Sequence, residues 1–281
     1  MVLSLRLELL RLLRLKAMIS IHPTAIVDKN AVIGEGSQIG AYSIIGPHVT
    51  LGERTSVAPH VIIEGHTTLG ADNRIFQFAS IGSEPQDLKY RGEPSELIVG
   101  NGNIIREYVT LQPGTEGGGM RTVIGDRNLF MASTHVGHDS IVGNRCVIAN
   151  GAALAGHVVV ADGVIIGGLS GIHQFVRLGS VSMIGAGAMV AQDVPPYCMA
   201  QGDRATIQGL NRVGLERNGG TKEDLALLRE VYRTVFNTAS GRVFKQRVAD
   251  ARRLIGENPR GVDFITFLET SERGVAPHHR A

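Results

Sequence analysis

Aliphatic residues recur every six positions through most of this chain of 281 residues. A first run holds Val27, Ile33, Ile39, Ile45, Leu51, Val57, Ile63, Leu69, Ile75 and Ile81, and a second holds Val99, Ile105 and Leu111. The third holds Ile124, Phe130, Val136, Val142, Ile148, Leu154, Val160, Ile166, Ile172, Leu178, Ile184 and Val190. A period of six fits neither an amphipathic helix, near 3.6, nor a half-buried strand, at 2. It fits a β-solenoid, in which each short strand turns a corner and points one aliphatic side chain inward. Three hexads make one triangular coil, and successive coils stack at a strand spacing of about 4.8 Å. The glycine that often follows the aliphatic position (Gly34, Gly40, Gly46, Gly52) is expected to let the backbone bend.

Interruptions of the beat set the organisation. Residues 82–98 place Asp87 and Glu93 where the columns need apolar side chains, and Pro85 and Pro94 oppose ladder pairing. An excursion loop from one corner is expected there. Residues 113–120, PGTEGGGM, lack the Gly-Lys-Ser/Thr ending of a phosphate loop and read as a flexible turn. Pro195-Pro196 ends the rod, giving a solenoid over 18–200 and a helical domain over 201–281. In that domain Thr221 and Asp224 form an acidic variant of a capping box, and Leu225, Leu228, Val231, Tyr232 and Val235 follow at helical spacing. Two more helices are expected near 243–255 and 261–272.

Composition excludes several classes. There is no Trp, and 36 Gly suit a narrow core of small aliphatics. Two cysteines, Cys146 and Cys198, make neither a disulfide framework nor a paired metal motif, so a reducing, cytoplasmic compartment is expected. In residues 1–17 charges interrupt every leucine run, which rules out a secretory signal. The segment reads as an extension upstream of a start at Met18, with a basic membrane-surface helix as the alternative. No stretch is long and apolar enough for stable membrane insertion. Residues 203–281 hold 14 Lys+Arg against 10 Asp+Glu, whereas the rest of the chain holds 14 against 16. A basic tail on a near-neutral rod points to an acidic partner or simply to a solvated helical face. No aromatic-interleaved basic stripe indicates nucleic acid.

The histidines carry the chemistry. His138, His157 and His173 lie two, three and one residues after Val136, Leu154 and Ile172, which are eighteen residues apart. The register therefore gathers the three imidazoles on one edge, with His138 and His157 about 5 Å apart along the axis. A lone histidine on a polar corner is usually only solvated; three on one edge point to a site. One reading is a general base at His138, oriented by Asp139, with a backbone N–H near Gly156 steadying an oxyanion. The other is a three-histidine zinc site with an open fourth position. His135 and His138 are expected on opposite faces of a strand.

HPTAIV (22–27), QDLKYRGEP (86–94), STHVGHD (133–139), LAGHV (154–158), HQF (173–175) and AQDVPPY (191–197) resemble the UDP-N-acetylglucosamine O-acyltransferases of the hexapeptide-repeat superfamily. The resemblance covers nearly everything from Met18 onward. It implies a left-handed parallel β-helix with a C-terminal helical domain, and a homotrimer with active sites between subunits. The implied reaction needs no cofactor. It moves a 3-hydroxyacyl group from acyl carrier protein, itself acidic, to the 3-hydroxyl of UDP-N-acetylglucosamine, the first step of lipid A synthesis. By the same resemblance His138 is the base, Asp139 orients it and Gly156 supplies the oxyanion N–H. His157 contacts the sugar, Asp87 and Lys89 hold sugar and acyl-pantetheine groups, and His173 and Gln174 line the cleft. Asn211 and Arg217 approach the nucleotide, and Ala186 sets the acyl length.

The sequence departs from the family pattern at Gln112, Pro113, Val213 and Asn218, which puts the nucleotide contacts in question. The sister N-acyltransferase of the pathway is an alternative, but its uridine-binding domain has no place before hexads that begin so close to Met18. Zinc-dependent carbonic anhydrases of the same superfamily are another, although their His-x4-His ligand pair is absent. A non-catalytic scaffold leaves the histidine edge unexplained.

Overall fold

The computed structural model describes residues 18–278, so the expected extension over 1–17 lies outside the described residues. Strands, mostly two residues long, pair in parallel with strands eighteen residues on: Ser20 with Gln38, Val27 with Ile45, Ile33 with Leu51. Every coil gives one strand to each of three sheets, which hold eleven, nine and eight strands among the described residues. We call these the first, second and third sheets, in the order the chain visits them. The second residue of each pair points inward, and from Ile39 to Val190 the hexad positions are buried.

The glycines beside the columns do not make the bends. Gly52 has no left-handed backbone; instead a Cβ there would lie 2.4 Å from the Gly70 carbonyl carbon of the next coil. These glycines permit close coil-to-coil approach. The bends fall elsewhere in the hexad, where side chains such as Tyr42, His60, Phe78 and Tyr108 sit at φ near 60° (58, 60, 65 and 60°). Their rings stack in an external ladder with centroids 5.1–5.3 Å apart. Inside the rod, buried Asn103 and Asn128 continue from Asn73. Each amide oxygen accepts the next coil's backbone N–H at 2.7–2.9 Å, which satisfies groups the two-residue ladders leave over.

Both interruptions leave the same corner, between the second and third sheets. His66 pairs with Glu96, thirty residues on, and Glu96 with Arg121, twenty-five on. The eighteen-residue register returns at Val123 with Ile141. Two loops on successive coils therefore overhang the edge on which His138 follows.

The rod does not give way directly to helices. Cys198–Gln201 pairs parallel to Met183–Ile184, then antiparallel to Thr206–Leu210. The expected boundary at 200 thus falls inside a hairpin, which carries no six-residue beat. Four helices follow among the described residues: Arg212–Arg217, Lys222–Phe236, Phe244–Arg252 and Pro259–Glu269. The first was not expected, because six residues hold under two turns of periodicity. Thr221 and Asp224 bond reciprocally at 3.0 Å, and Leu225, Leu228, Val231 and Val235 are buried. The end of the tail returns to the rod through Asp193–Val275 and Ile207–His278 bridges. Arg177 donates to the Thr270 carbonyl at 2.7 Å, and Ser271 to Asp193 at 2.8 Å.

Candidate active site

The corner between the second and third sheets carries His138, His157 and His173 on successive coils. The His138 and His157 ring centroids are 5.1 Å apart, edge to face, close to one coil rise. His157 in turn stacks on Phe175 at 4.3 Å. Asp139 and His157 have φ of 59° and 61°. Corners throughout the rod share this conformation, so here it is a property of the fold and not strain peculiar to the site.

Asp139 organises the edge. Its buried carboxylate accepts the Thr115 N–H at 2.9 Å and the Thr115 hydroxyl at 2.6 Å, and meets His138 Nδ1 at 2.8 Å. A carboxylate only accepts, so the network assigns the imidazole proton to Nδ1 and leaves the Nε2 lone pair free. Gly156 lies under that ring: a Cβ there would be 2.5 Å from His138 Nε2. The Gly156 N–H meets no acceptor among the described residues and is available to a ligand.

Two expectations change here. Residues 113–120 are not a free turn: Glu116–Gly118 form a short 3-10 helix, and the Gly118 Cα leaves so little room that a Cβ would stand 1.9 Å from the Asp139 carboxyl carbon. Nor do His135 and His138 face apart. Both line one cavity, because the chain turns its corner between them and strand alternation stops there. Burial, followed by the nearby His138, pushes the His135 imidazole below its ordinary value. Protonation then favours the unfolded chain. The corresponding stability is complete above about pH 6.5 and is lost as pH falls toward the lowered native value. Thermal unfolding followed across that window should show a shallower acid decline for His135→Gln than for the parent.

The cavity holds about 970 Å³ and reaches from Gln112, His138 and Gly156 to His173, Met189 and Arg204. Its floor is the outward face of the second sheet, where Ala153, Gly171 and Met189 are consecutive. The Met189 sulfur lies 2.8 Å from where a Gly171 Cβ would stand, so the small residues leave a trough that the methionine crosses.

The remaining expected residues divide. Asp87 and Lys89 sit on the excursion loop. Asp87 accepts the Lys89 N–H at 3.0 Å, which holds its carboxyl below the usual range, with His138 and His157 contributing in the same direction. Burial lowers the His157 imidazole, against the opposing pull of Asp139, so His157 favours its neutral form. His173 and Gln174 line the cavity, and Arg273 donates to His173 Nδ1 at 2.8 Å. Ala186 is exposed at the other corner of its coil and is not among the cavity-lining residues. Asn211 is buried as a helix cap, accepting from Gly214 and donating to Val181 at 2.8 Å. Arg217 lies in the last turn of that helix, also outside the cavity lining. Sequence reasoning missed Thr115, Gly118, Arg273 and Met189. The run of three glycines was the one signal that a close approach was needed.

Among the described residues only His138, Asp139 and His157 bring three metal-binding atoms together, within 4.8 Å. His173 is not in that group, so the three histidines of the alternative zinc reading do not come together among the described residues of one chain. Asp139 and His138 Nδ1 also satisfy each other, which suits proton transfer better than ligation.

Residues 193–276 match the model for domain 2 of UDP-N-acetylglucosamine O-acyltransferases. Residues 19–53, 30–65 and 121–156 match the bacterial transferase hexapeptide model. A curated acyl-[acyl-carrier-protein]–UDP-N-acetylglucosamine O-acyltransferase of Aliarcobacter butzleri is 47% identical, over 91% of this chain and 97% of its own. One from Myxococcus xanthus is 51% identical over 92% and 99%. The crystal structure of UDP-N-acetylglucosamine O-acyltransferase from Moraxella catarrhalis superposes with a TM-score of 0.87 at 41% identity, covering 91% of this chain and 99% of that one. These names match the O-acyltransferase expectation and neither the N-acyltransferase nor the carbonic anhydrase alternative.

Proposed function

The chain belongs to the UDP-N-acetylglucosamine O-acyltransferase family, and from that membership we propose how its residues carry the reaction. A 3-hydroxyacyl group passes from acyl carrier protein to the 3-hydroxyl of UDP-N-acetylglucosamine, the entry step of lipid A synthesis. His138 Nε2 takes the hydroxyl proton, and the sugar oxygen attacks the thioester carbonyl. The Gly156 N–H holds the oxyanion. Collapse breaks the C–S bond, and the proton returns from His138 to the leaving thiolate. One observation carries this reading: a carboxylate-locked imidazole and an unpaired backbone N–H share the mouth of a largely apolar trough.

Asp87, Lys89 and His157 hold the sugar and pantetheine ends, and His173 and Gln174 the cleft beyond. Within one chain Arg217 stands away from the cavity, which fits a site completed by a neighbouring subunit of a homotrimer. An exposed apolar column, Ile26, Ile44 and Ile62, runs beside the aromatic ladder and offers a surface for such assembly. The basic tail suits an acidic carrier protein. Cys146 and Cys198 are buried and unpaired, which supports a reducing cytoplasm. No described helix is long and apolar enough to cross a membrane.

We assign chain length to the last coil of the trough, with Met189 as the stop on its floor, and the family resemblance adds Ala186, which lies at another corner of that coil outside the lining. In a transfer assay with acyl carrier proteins of graded chain length, Met189→Gly should move preference to longer chains and Ala186→Met to shorter ones. Selectivity between neighbouring lengths should change about 10-fold or more, as a methylene in an apolar pocket commands. Unchanged preference in both variants would remove the acyl chain from this trough.

A further inference from the structure

We infer that Thr115 is a positioning residue for the catalytic pair, and that the two loops overhanging the histidine edge form a bracket that holds Asp139 against His138. The inference rests on the acyltransfer reading above and extends it to residues that do not touch substrate. Thr115 is buried and addresses the carboxylate twice, by N–H to Oδ1 at 2.9 Å and by hydroxyl to Oδ2 at 2.6 Å. The backbone bond fixes where the carboxylate sits, and the hydroxyl fixes its rotation. Oδ2 is the same oxygen that meets His138 Nδ1 at 2.8 Å, so the rotation also aims the imidazole.

The bracket has a second layer. The Thr115 carbonyl accepts the N–H groups of Gly118 and Met120, both at 3.0 Å, which closes the loop on itself. The Glu116 N–H donates to Glu93 at 3.0 Å, and Glu93 also accepts the Arg91 N–H at 2.8 Å. Glu93 belongs to the excursion loop that carries Asp87 and Lys89, so the substrate-facing loop and the catalytic pair share one hydrogen-bonded support. Gly118 packs directly on the carboxylate, with no space for even one added carbon. The coil that carries His138 and Asp139, from Val123 to Ile141, itself keeps the plain eighteen-residue register at this corner. The extra chain occurs on the coils just before the pair it braces.

Thr115→Val keeps the shape and the N–H but deletes the hydroxyl; Thr115→Ser keeps both donors. Steady-state kinetics should give a kcat about 10-fold or more below the parent for Thr115→Val, with KM for sugar nucleotide and acyl carrier protein within about twofold. Thr115→Ser should restore kcat to within about threefold. Gly118→Ala, which displaces the carboxylate directly, should lose more. A tautomer measurement keeps the inference testable apart from turnover. In nitrogen NMR of the imidazoles at about pH 8, above the ordinary histidine range, the parent should hold the His138 proton on Nδ1, and Gly118→Ala should show mixed tautomers. Parental kcat in Thr115→Val, or an unchanged Nδ1 tautomer in Gly118→Ala, would overturn the inference. A parent that transfers no acyl group would instead count against the acyltransfer reading and leave the NMR comparison to decide the bracket.

Discussion

Replacing His138 with Ala should lower kcat by about 10²–10⁴-fold, the range expected for a lost general base, or about 3–5 kcal/mol of barrier at 1.36 kcal/mol per tenfold. The ring is the one group on the edge with both a free Nε2 lone pair and a fixed Nδ1 proton. His157, the nearest replacement, has its Nε2 3.9 Å from Asp139 and is not locked by it. Binding should survive, because Asp87, Lys89 and the trough do not depend on the imidazole. The fold should survive too, since His138 lies against Gly156 at a corner and fills no aliphatic column. KM and thermal midpoint should therefore stay near parental values while turnover falls. Residual transfer would come from the Gly156 N–H and from holding the reactants together.

Asp139→Asn should cost nearly as much, by a different route. The aspartate accepts from the Thr115 N–H on one oxygen, and from the Thr115 hydroxyl and His138 on the other. An asparagine placed there keeps its oxygen toward the Thr115 N–H and turns its NH2 toward the hydroxyl and the ring. The hydroxyl can rotate to accept. The imidazole must then present a lone pair at Nδ1 and carry its proton at Nε2, where the base is needed. The same substitution in a Ser-His-Asp hydrolase removes about 10⁴-fold of kcat with geometry intact. Stopped-time assays should show a loss approaching that size, with an unfolding midpoint close to the parent's. A variant within about tenfold of the parent would mean that the tautomer is not what limits catalysis.

The six-residue beat made the three-sheet rod legible because each coil repeats one packing problem, and Val, Ile, Leu or Phe solves it every time. The left-handed parallel β-helix with a helical tail follows that reading together with the family resemblance. The same register brought His138 and His157 together at one coil rise. The loop over 82–98 was legible as a break in the beat, but not how the chain is arranged at the corners and beyond the rod. Strand alternation places His135 opposite His138 only if it continues through the corner, and the chain turns there instead. Residues 113–120 looked flexible because glycine marks both freedom and close approach, and only the packing of Gly118 on Asp139 separates the two. The hairpin before the helices has no repeat to announce it. The motif also does not show that, within this chain, the Asn211 amide caps a helix and bonds Val181. Met189 became visible as a trough stop only once Gly171 lay one coil beneath it.

The most direct test is to incubate the protein with UDP-N-acetylglucosamine and 3-hydroxyacyl-acyl carrier proteins, and to weigh the sugar-nucleotide products for the parent and for His138→Ala. The account predicts a sugar nucleotide heavier by one 3-hydroxyacyl group, released in step with free carrier thiol and nearly absent with the variant. Unmodified UDP-N-acetylglucosamine with every donor, or equal product from parent and His138→Ala, would contradict it.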